Sequence, residues 1–405
     1  MAGVDLIITN ALWRGRASDL LVADGVVEEL AEAGRYAPAE LEAMDAEVLD
    51  AAGLTLMPSC IDVHTHLREP GFEYKEDVAS GLGAAAHGGF GSVMCMANTA
   101  PVNDDATVTE LILEKAELAW PMGPRVYPIG ALSKGLKGLE LAPMAELAEA
   151  GCVAVSNDGL PVASTEFFRR AMEYAAGVGL IVIDHCEDPS MNPGCGMNEG
   201  AVSGLSGLPA QPDAAEAIQA ARDVLLAEYL GLPVHLAHVS CARTVEVVRW
   251  AKARGVDVTA ETCPHYLLFT EELAADYDAR AKVNPPLRSA DDVAALLAAL
   301  TDGTIDMLAT DHAPHAEHEK EVEFDAAPCG ISGLDTALAS TWGLVADGRL
   351  DEETFLRAWC HAPAARFGLP ACAFTPGDPA DFLLFDPAAR WEVTPEAMRS
   401  KGKNT

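Results

Sequence analysis

Positive charge is what this chain has least of. Its 405 residues carry 27 Lys and Arg against 62 Asp and Glu, a formal net charge of -35 at pH 7. A surface of that sign repels polyphosphate, which argues against nucleic acid or an anionic membrane as partner, and any carboxylate ligand must be met by positive charge gathered locally. Uninterrupted apolar runs of membrane-spanning length are missing too, and Met1-Ala2-Gly3-Val4-Asp5 offers no basic region ahead of an apolar signal core, so a cytoplasmic protein is expected. The ten cysteines form no Cys-x-x-Cys pair and no framework spacing; most sit in apolar runs, the setting of reduced, buried thiols. There is no internal repeat and no low-complexity linker.

Half of the residues are apolar, enough for a sizeable core. The first 56 residues alternate short β-patterned runs with turns, and Asp24-Gly25 between two such runs predicts a hairpin. From Met57 the texture changes. Apolar runs at 57–66, 91–98, 125–131, 152–158, 180–187, 233–239, 257–263 and 305–311 alternate with helical patterns such as those at 78–87, 106–119, 144–150, 165–176, 214–230, 242–254 and 291–300. Eight strands, each followed by a helix-like segment, predict an α/β fold of the (β/α)8 TIM-type barrel class over residues 57–370. A doubly wound open sheet is the alternative. After a helical stretch at 351–367 the chain returns to β-patterned runs at 381–386 and 391–393, so residues 1–56 and 371–405 are expected to build one small β-sandwich domain beside the barrel. The absence of a closing strand at Lys403-Asn404-Thr405 suggests that the natural protein continues.

The chemistry gathers where the apolar runs end. His64 and His66 sit two apart, on one strand face, with Arg68 next; Asp158, His185, His238 and Asp311 end four later runs. On a barrel those ends converge on one face, and imidazole plus carboxylate is a donor set suited to zinc. Each residue also has an ordinary role to set against this: a turn before Gly159 for Asp158, a helix cap for Asp311, a surface ion pair for Arg68. His235 and His312 are read as facing away from the site, and His265 is unassigned.

The motifs His-x-His-Leu-Arg-Glu-Pro-Gly at 64–71, Met-x-Asn-Thr at 96–99, Asn-Pro-Pro-Leu-Arg at 284–288 and Thr-Asp-His-Ala-Pro-His at 310–315 resemble those of the dihydroorotases of the amidohydrolase superfamily, in the bacterial branch without a carboxylated lysine. The resemblance runs from about residue 51 to 405. It implies one or two zinc ions per chain, with His64, His66 and Asp311 at one, His185 and His238 at the other, and Asp158 as the bridging carboxylate. Asp311 is the implied general base and acid. Arg68, Asn98, Asn284, His315 and the backbone at Cys329 and Gly330 are the implied contacts of a small-molecule substrate, dihydroorotate, hydrolysed reversibly to N-carbamoyl-aspartate in pyrimidine biosynthesis. A homodimer is implied, with association with aspartate transcarbamoylase as a further assembly.

Two positions depart from the branch pattern: Asn157 stands where a second aspartate is common, and Cys329 where a bulkier apolar residue is common. The competing readings are a hydantoinase, dihydropyrimidinase or allantoinase, and a noncatalytic partner of the transcarbamoylase. The former enzymes generally use a carboxylated lysine, and no lysine lies between Lys137 and Lys252. The latter have lost metal histidines, which are all present in this chain.

Overall fold

The computed structural model describes residues 4–192, 194 and 196–405. Strands β1 (Leu6–Trp13), β2 (Arg16–Ala23) and β3 (Val26–Glu32) form an antiparallel meander. Asp24 and Gly25 link β2 to β3 with φ of +50° and +74°, the left-handed pair that a two-residue hairpin matched to strand twist requires. Strands β4 (Glu47–Asp50) and β5 (Thr55–Pro58) lie parallel to β1. The other end of the chain joins this sheet through Phe382–Phe385, antiparallel to β5. Met57 and Pro58, expected in the first barrel strand, thus belong to the small sheet, and the barrel strand starts at Cys60.

The barrel strands are β6 (Cys60–Thr65), β7 (Phe90–Cys95), β8 (Arg125–Ala131), β9 (Ala154–Ser156) and β10 (Ile181–Asp184), then, after a two-stranded ribbon of β11 (Met197–Asn198) and β12 (Ala210–Gln211), β13 (Val234–Leu236), β14 (Val258–Thr262) and β15 (Met307–Leu308). They lie side by side in sequence order, all neighbours parallel. A parallel bridge between Thr65 and His312 joins the last strand's end to the first. Sequential order plus that bridge makes a barrel and rules out the doubly wound sheet.

Alternation along each strand divides the core in two. Ile61, Val63, Met94, Ile129, Ala154, Ile183 and Met307 pack together inside with Phe367 and Leu369, while Val93, Val155, Val182, Val234, Leu236 and Val258 join the layer shared with the helices. Each fully buried aliphatic side chain in these layers contributes roughly 1.5–3 kcal/mol. The helices begin at side-chain caps: Asp77 accepts from Ser80 N ahead of Val78–His87, Asp105 from Thr107 N ahead of Ala106–Ala119, and Ser289 from Asp292 N ahead of Ala290–Asp302. These caps satisfy backbone donors that the helix leaves open and so fix where each helix starts.

Beyond β16 (Phe382–Phe385) the chain leaves the small sheet. Trp391–Val393, expected as a strand, forms none. The Trp391 ring packs instead edge-on against His87 of a barrel helix, centroids 5.7 Å apart. Residues 399–404 then hydrogen-bond to barrel loops. Eight cysteines are free and buried; Cys195 lies outside the described residues, and Cys329 is disulfide-bonded, so the expectation of reduced thiols fails at Cys329. Among the described residues no helix is long and apolar enough to cross a membrane.

Candidate active site

The C-terminal ends of the barrel strands open into a cavity of about 240 Å³. Of the twelve candidate residues, eleven line it: His66, Arg68, Asn98, Asp158, His185, His238, Asn284, Asp311, His315, Cys329 and Gly330. His64, fully buried, lies behind them. Four of these residues have left-handed backbone: Arg68 at φ +62°, Asp158 at +47°, His238 at +33° and Asp311 at +46°. Such conformations cost of order 1–3 kcal/mol outside glycine and persist where the surroundings impose them, often at functional sites. Here they stand where strands end, freeing those side chains from strict alternation.

The hydrogen-bond network assigns the imidazole tautomers. His64 Nδ1 donates to Glu261 Oε1 at 3.0 Å. Its Nε2, buried and without a hydrogen-bond partner, faces Asp158 Oδ1 at 3.3 Å and Asp311 Oδ1 at 3.5 Å. Asn98 Nδ2 donates to Asp158 Oδ2 at 2.7 Å, so its Oδ1 faces His66 Nδ1 at 2.8 Å and accepts the proton there. His66 Nε2 is left 3.2 Å from Asp311 Oδ1. His185 Nε2 donates to Glu187 Oε2 at 3.2 Å, and its Nδ1 meets His238 Nε2 at 2.9 Å. Two ligands of one tetrahedral zinc at about 2.1 Å stand roughly 3.4 Å apart, close to that spacing.

Two ligand groups emerge, each with donor atoms within 4.8 Å of one another: His64, His66 and Asp311, and His64, Asp158 and His238. The donors fit a divalent cation, the clearest sign being the orphaned His64 Nε2 aimed between two carboxylates. Electrostatics agree. Burial opposes charge on Asp158 and Asp311, but the neighbouring histidines hold both well below the usual carboxylate range. Burial likewise opposes a charged His64, yet Asp311, Asp158 and Glu261 raise it, the signature of a strongly negative site. His238 is pushed down to about 3 by burial, His185 and His64, which keeps it a neutral donor. A third cluster, Asp184, Cys186 and Asp223, already holds a cationic side chain, because Arg222 reaches Asp184 at 3.3 Å and Asp223 at 2.7 Å.

Arg68 also lines the cavity. Its Nε donates to the Pro314 carbonyl at 3.2 Å, leaving the two terminal nitrogens for another acceptor. Burial pushes the guanidinium below its ordinary value while Asp158 and Asp311 oppose that shift; arginine stays charged. Asn284 lines the cavity; its Nδ2 donates to Glu187 at 2.8 Å, and its buried Oδ1 has no partner. His315 is less free than expected of a substrate contact: its Nε2 donates to the Cys329 carbonyl at 2.8 Å and its Nδ1 lies 3.4 Å from Lys75 Nζ. Burial, Arg68 and Lys75 push it down to about 3. At Gly330 (φ +141°) a Cβ would stand 2.6 Å from the Ala313 carbonyl, so only glycine fits.

The sequence reading missed the residues that orient these groups. Glu261 binds His64 and, at 2.9 Å, His235; an acid in the middle of an apolar strand was the available signal. Glu187 holds His185 and Asn284. Asp62, two before His64, accepts from His64 N at 3.2 Å and Thr310 N at 3.0 Å. His235 and His312 point away from the cavity as read: His312 Nε2 faces Glu76 at 3.3 Å. His265 is buried, lines a different pocket and leaves its Nε2 unpartnered.

Residues 53–244 match the family model described as Dihydro-orotase-like. The chain is 50% identical over 387 residues to the dihydroorotase of Geotalea daltonii, covering 96% of this chain and 89% of the relative. The chain belongs to the dihydroorotase family. The Syntrophotalea carbinolica dihydroorotase is 47% identical over 405 residues, covering 99% of this chain and 93% of that one. Among solved structures, the L-hydantoinase of Arthrobacter aurescens superposes with a TM-score of 0.80 at 25% identity, covering 94% of this chain and 86% of the other. A dihydropyrimidinase from Brevibacillus agri reaches 0.78 at 22% identity, covering 98% and 90%, a likeness of fold. The (β/α)8 architecture is therefore shared with cyclic amidohydrolases, and the dihydroorotase sequences are nearer than these two structures.

Proposed function

We propose that the chain is a zinc-dependent dihydroorotase that interconverts dihydroorotate and N-carbamoyl-aspartate in pyrimidine biosynthesis. The observation that carries the reading is the single cavity lined both by an acid-and-imidazole cluster and by the half-buried Arg68. His64, His66 and Asp311 would hold one zinc, His185 and His238 a second, with Asp158 shared between them. When bound, zinc polarises the scissile carbonyl and acidifies the attacking water. Asp311 takes that water's proton and delivers it to the leaving ring nitrogen, one group serving as base and then acid. Arg68 pairs with the substrate carboxylate, the local positive charge that an acidic protein needs for an anionic ligand. Asn284 Oδ1, unpartnered, accepts from a ring N–H. Asn98, tied to His66 and Asp158, orients the ligand set before it meets substrate. Cytoplasmic location, a homodimer and assembly with aspartate transcarbamoylase go with this reading; size-exclusion chromatography with and without the transcarbamoylase tests the last.

The hydantoinase reading draws support from the shared fold, but this reading makes Asp158 the bridge, and no lysine lies between Lys137 and Lys252. Asp158→Ala is accordingly expected to lower zinc per chain and turnover together, with no recovery on adding bicarbonate. Rescue by bicarbonate would reveal a carboxylated lysine and move the enzyme to the other branch.

A further inference from the structure

We propose that Asn404 is a positioning residue for substrate binding, fixing the loop that carries Arg68's backbone partner Pro314 and His315 to the loop that carries Gly330. This inference rests on the assignment of the Arg68 cavity to substrate. Asn404 is only 4% exposed, and both ends of its amide are fully engaged. Its Oδ1 accepts from His315 N and from Ser332 Oγ, both at 2.9 Å. Its Nδ2 donates to the Ala313 carbonyl at 3.1 Å and the Gly330 carbonyl at 3.0 Å. The Asn404 carbonyl accepts from Ser332 N at 2.8 Å.

One side chain therefore ties residues 313–315 to residues 330–332. Ala313, His315 and Gly330 all line the cavity, and Pro314, between two of them, supplies the carbonyl that receives Arg68 Nε. An apolar plug would bury the same surface; four hydrogen bonds from one amide do more, because their directions fix the spacing of the two loops.

The segment before Asn404 is built to deliver it. Arg399 N and Ser400 N donate to the Asp335 carboxylate at 2.9 and 3.1 Å, and Lys401 N donates to Glu76 Oε1 at 3.1 Å. Gly402 passes so close that a Cβ there would stand 2.4 Å from Pro314 Cβ and 2.9 Å from His315 N. Such an approach allows no side chain.

The test uses the full chain with its zinc and compares Asn404→Leu, similar in size but without hydrogen bonds, with Arg68→Met and with the double variant. Asn404→Leu is expected to raise KM for dihydroorotate about tenfold with kcat within about threefold and zinc per chain unchanged, since the lost bonds orient groups that bind. Because both changes weaken one grip, the double variant should exceed Arg68→Met in KM by less than about threefold. Ser332→Ala, which removes one bond only, should fold even where Asn404→Leu does not, and should raise KM roughly threefold.

A KM unchanged in both Asn404→Leu and Ser332→Ala, multiplicative effects in the double variant, or a fall in kcat with loss of zinc at constant KM would each overturn the proposal. An Arg68→Met enzyme with unchanged KM would overturn the substrate assignment beneath it. A raised KM in Arg68→Met alone defeats only the role of Asn404.

Discussion

Asp311→Asn is expected to lower turnover by a factor of roughly 10²–10⁴ while leaving most of the zinc bound. The amide keeps an oxygen where Asp311 Oδ1 now faces His66 Nε2 at 3.2 Å and His64 Nε2 at 3.5 Å, so the ligand group survives in geometry. What it loses is the ability to carry a proton. Burial disfavours charge on Asp311, but His64, His66 and His238 outweigh it and hold the carboxyl below its ordinary range, so it is ionised and ready to accept a proton near neutral pH. The readout is kcat for dihydroorotate alongside zinc per chain. Activity within about a factor of two of wild type would remove Asp311 from the proton transfer.

Arg68→Met should raise KM for dihydroorotate by about 10- to 150-fold, the equivalent of the roughly 1.5–3 kcal/mol that a hydrogen bond to a charged group contributes. The prediction follows from burial and geometry together: Arg68 is half-buried, its Nε is spent on Pro314, and it lines a cavity whose carboxylates are Asp158 and Asp311. Met preserves much of the packing volume and removes only the charge and the donors. Dihydrouracil and hydantoin, which lack the carboxylate, should be poor substrates of the wild type and little affected by the change. Equal wild-type activity on dihydrouracil and dihydroorotate would mean that Arg68 does not set specificity, and would favour the hydantoinase reading.

The barrel was legible because its strands are short apolar runs separated by helical patterns. Those signals are local, and local signals survive in a sequence. The convergence of His64, Asp158, His185, His238 and Asp311 was legible for a different reason: in a barrel, the end of every strand reaches the same face. What stayed hidden depends on contacts between distant segments. Glu261 orients His64 across 197 positions of sequence, and Asn404 reaches Gly330 across 74; neither residue belongs to a periodic pattern. Asn98 and His315 were read as substrate contacts, yet both spend hydrogen bonds on protein partners, which only the folded arrangement reveals. Trp391–Val393 failed as a strand because alternation over three residues cannot distinguish a strand from a loop anchored by one aromatic ring.

Zinc per chain, measured on the same preparation that is assayed with dihydroorotate before and after chelation, tests the central claim most directly. The account predicts one or two zinc ions, loss of turnover as they are removed, and recovery when zinc is returned. Metal-free protein that turns over dihydroorotate at the wild-type rate, or zinc-loaded protein that leaves it untouched, would contradict it.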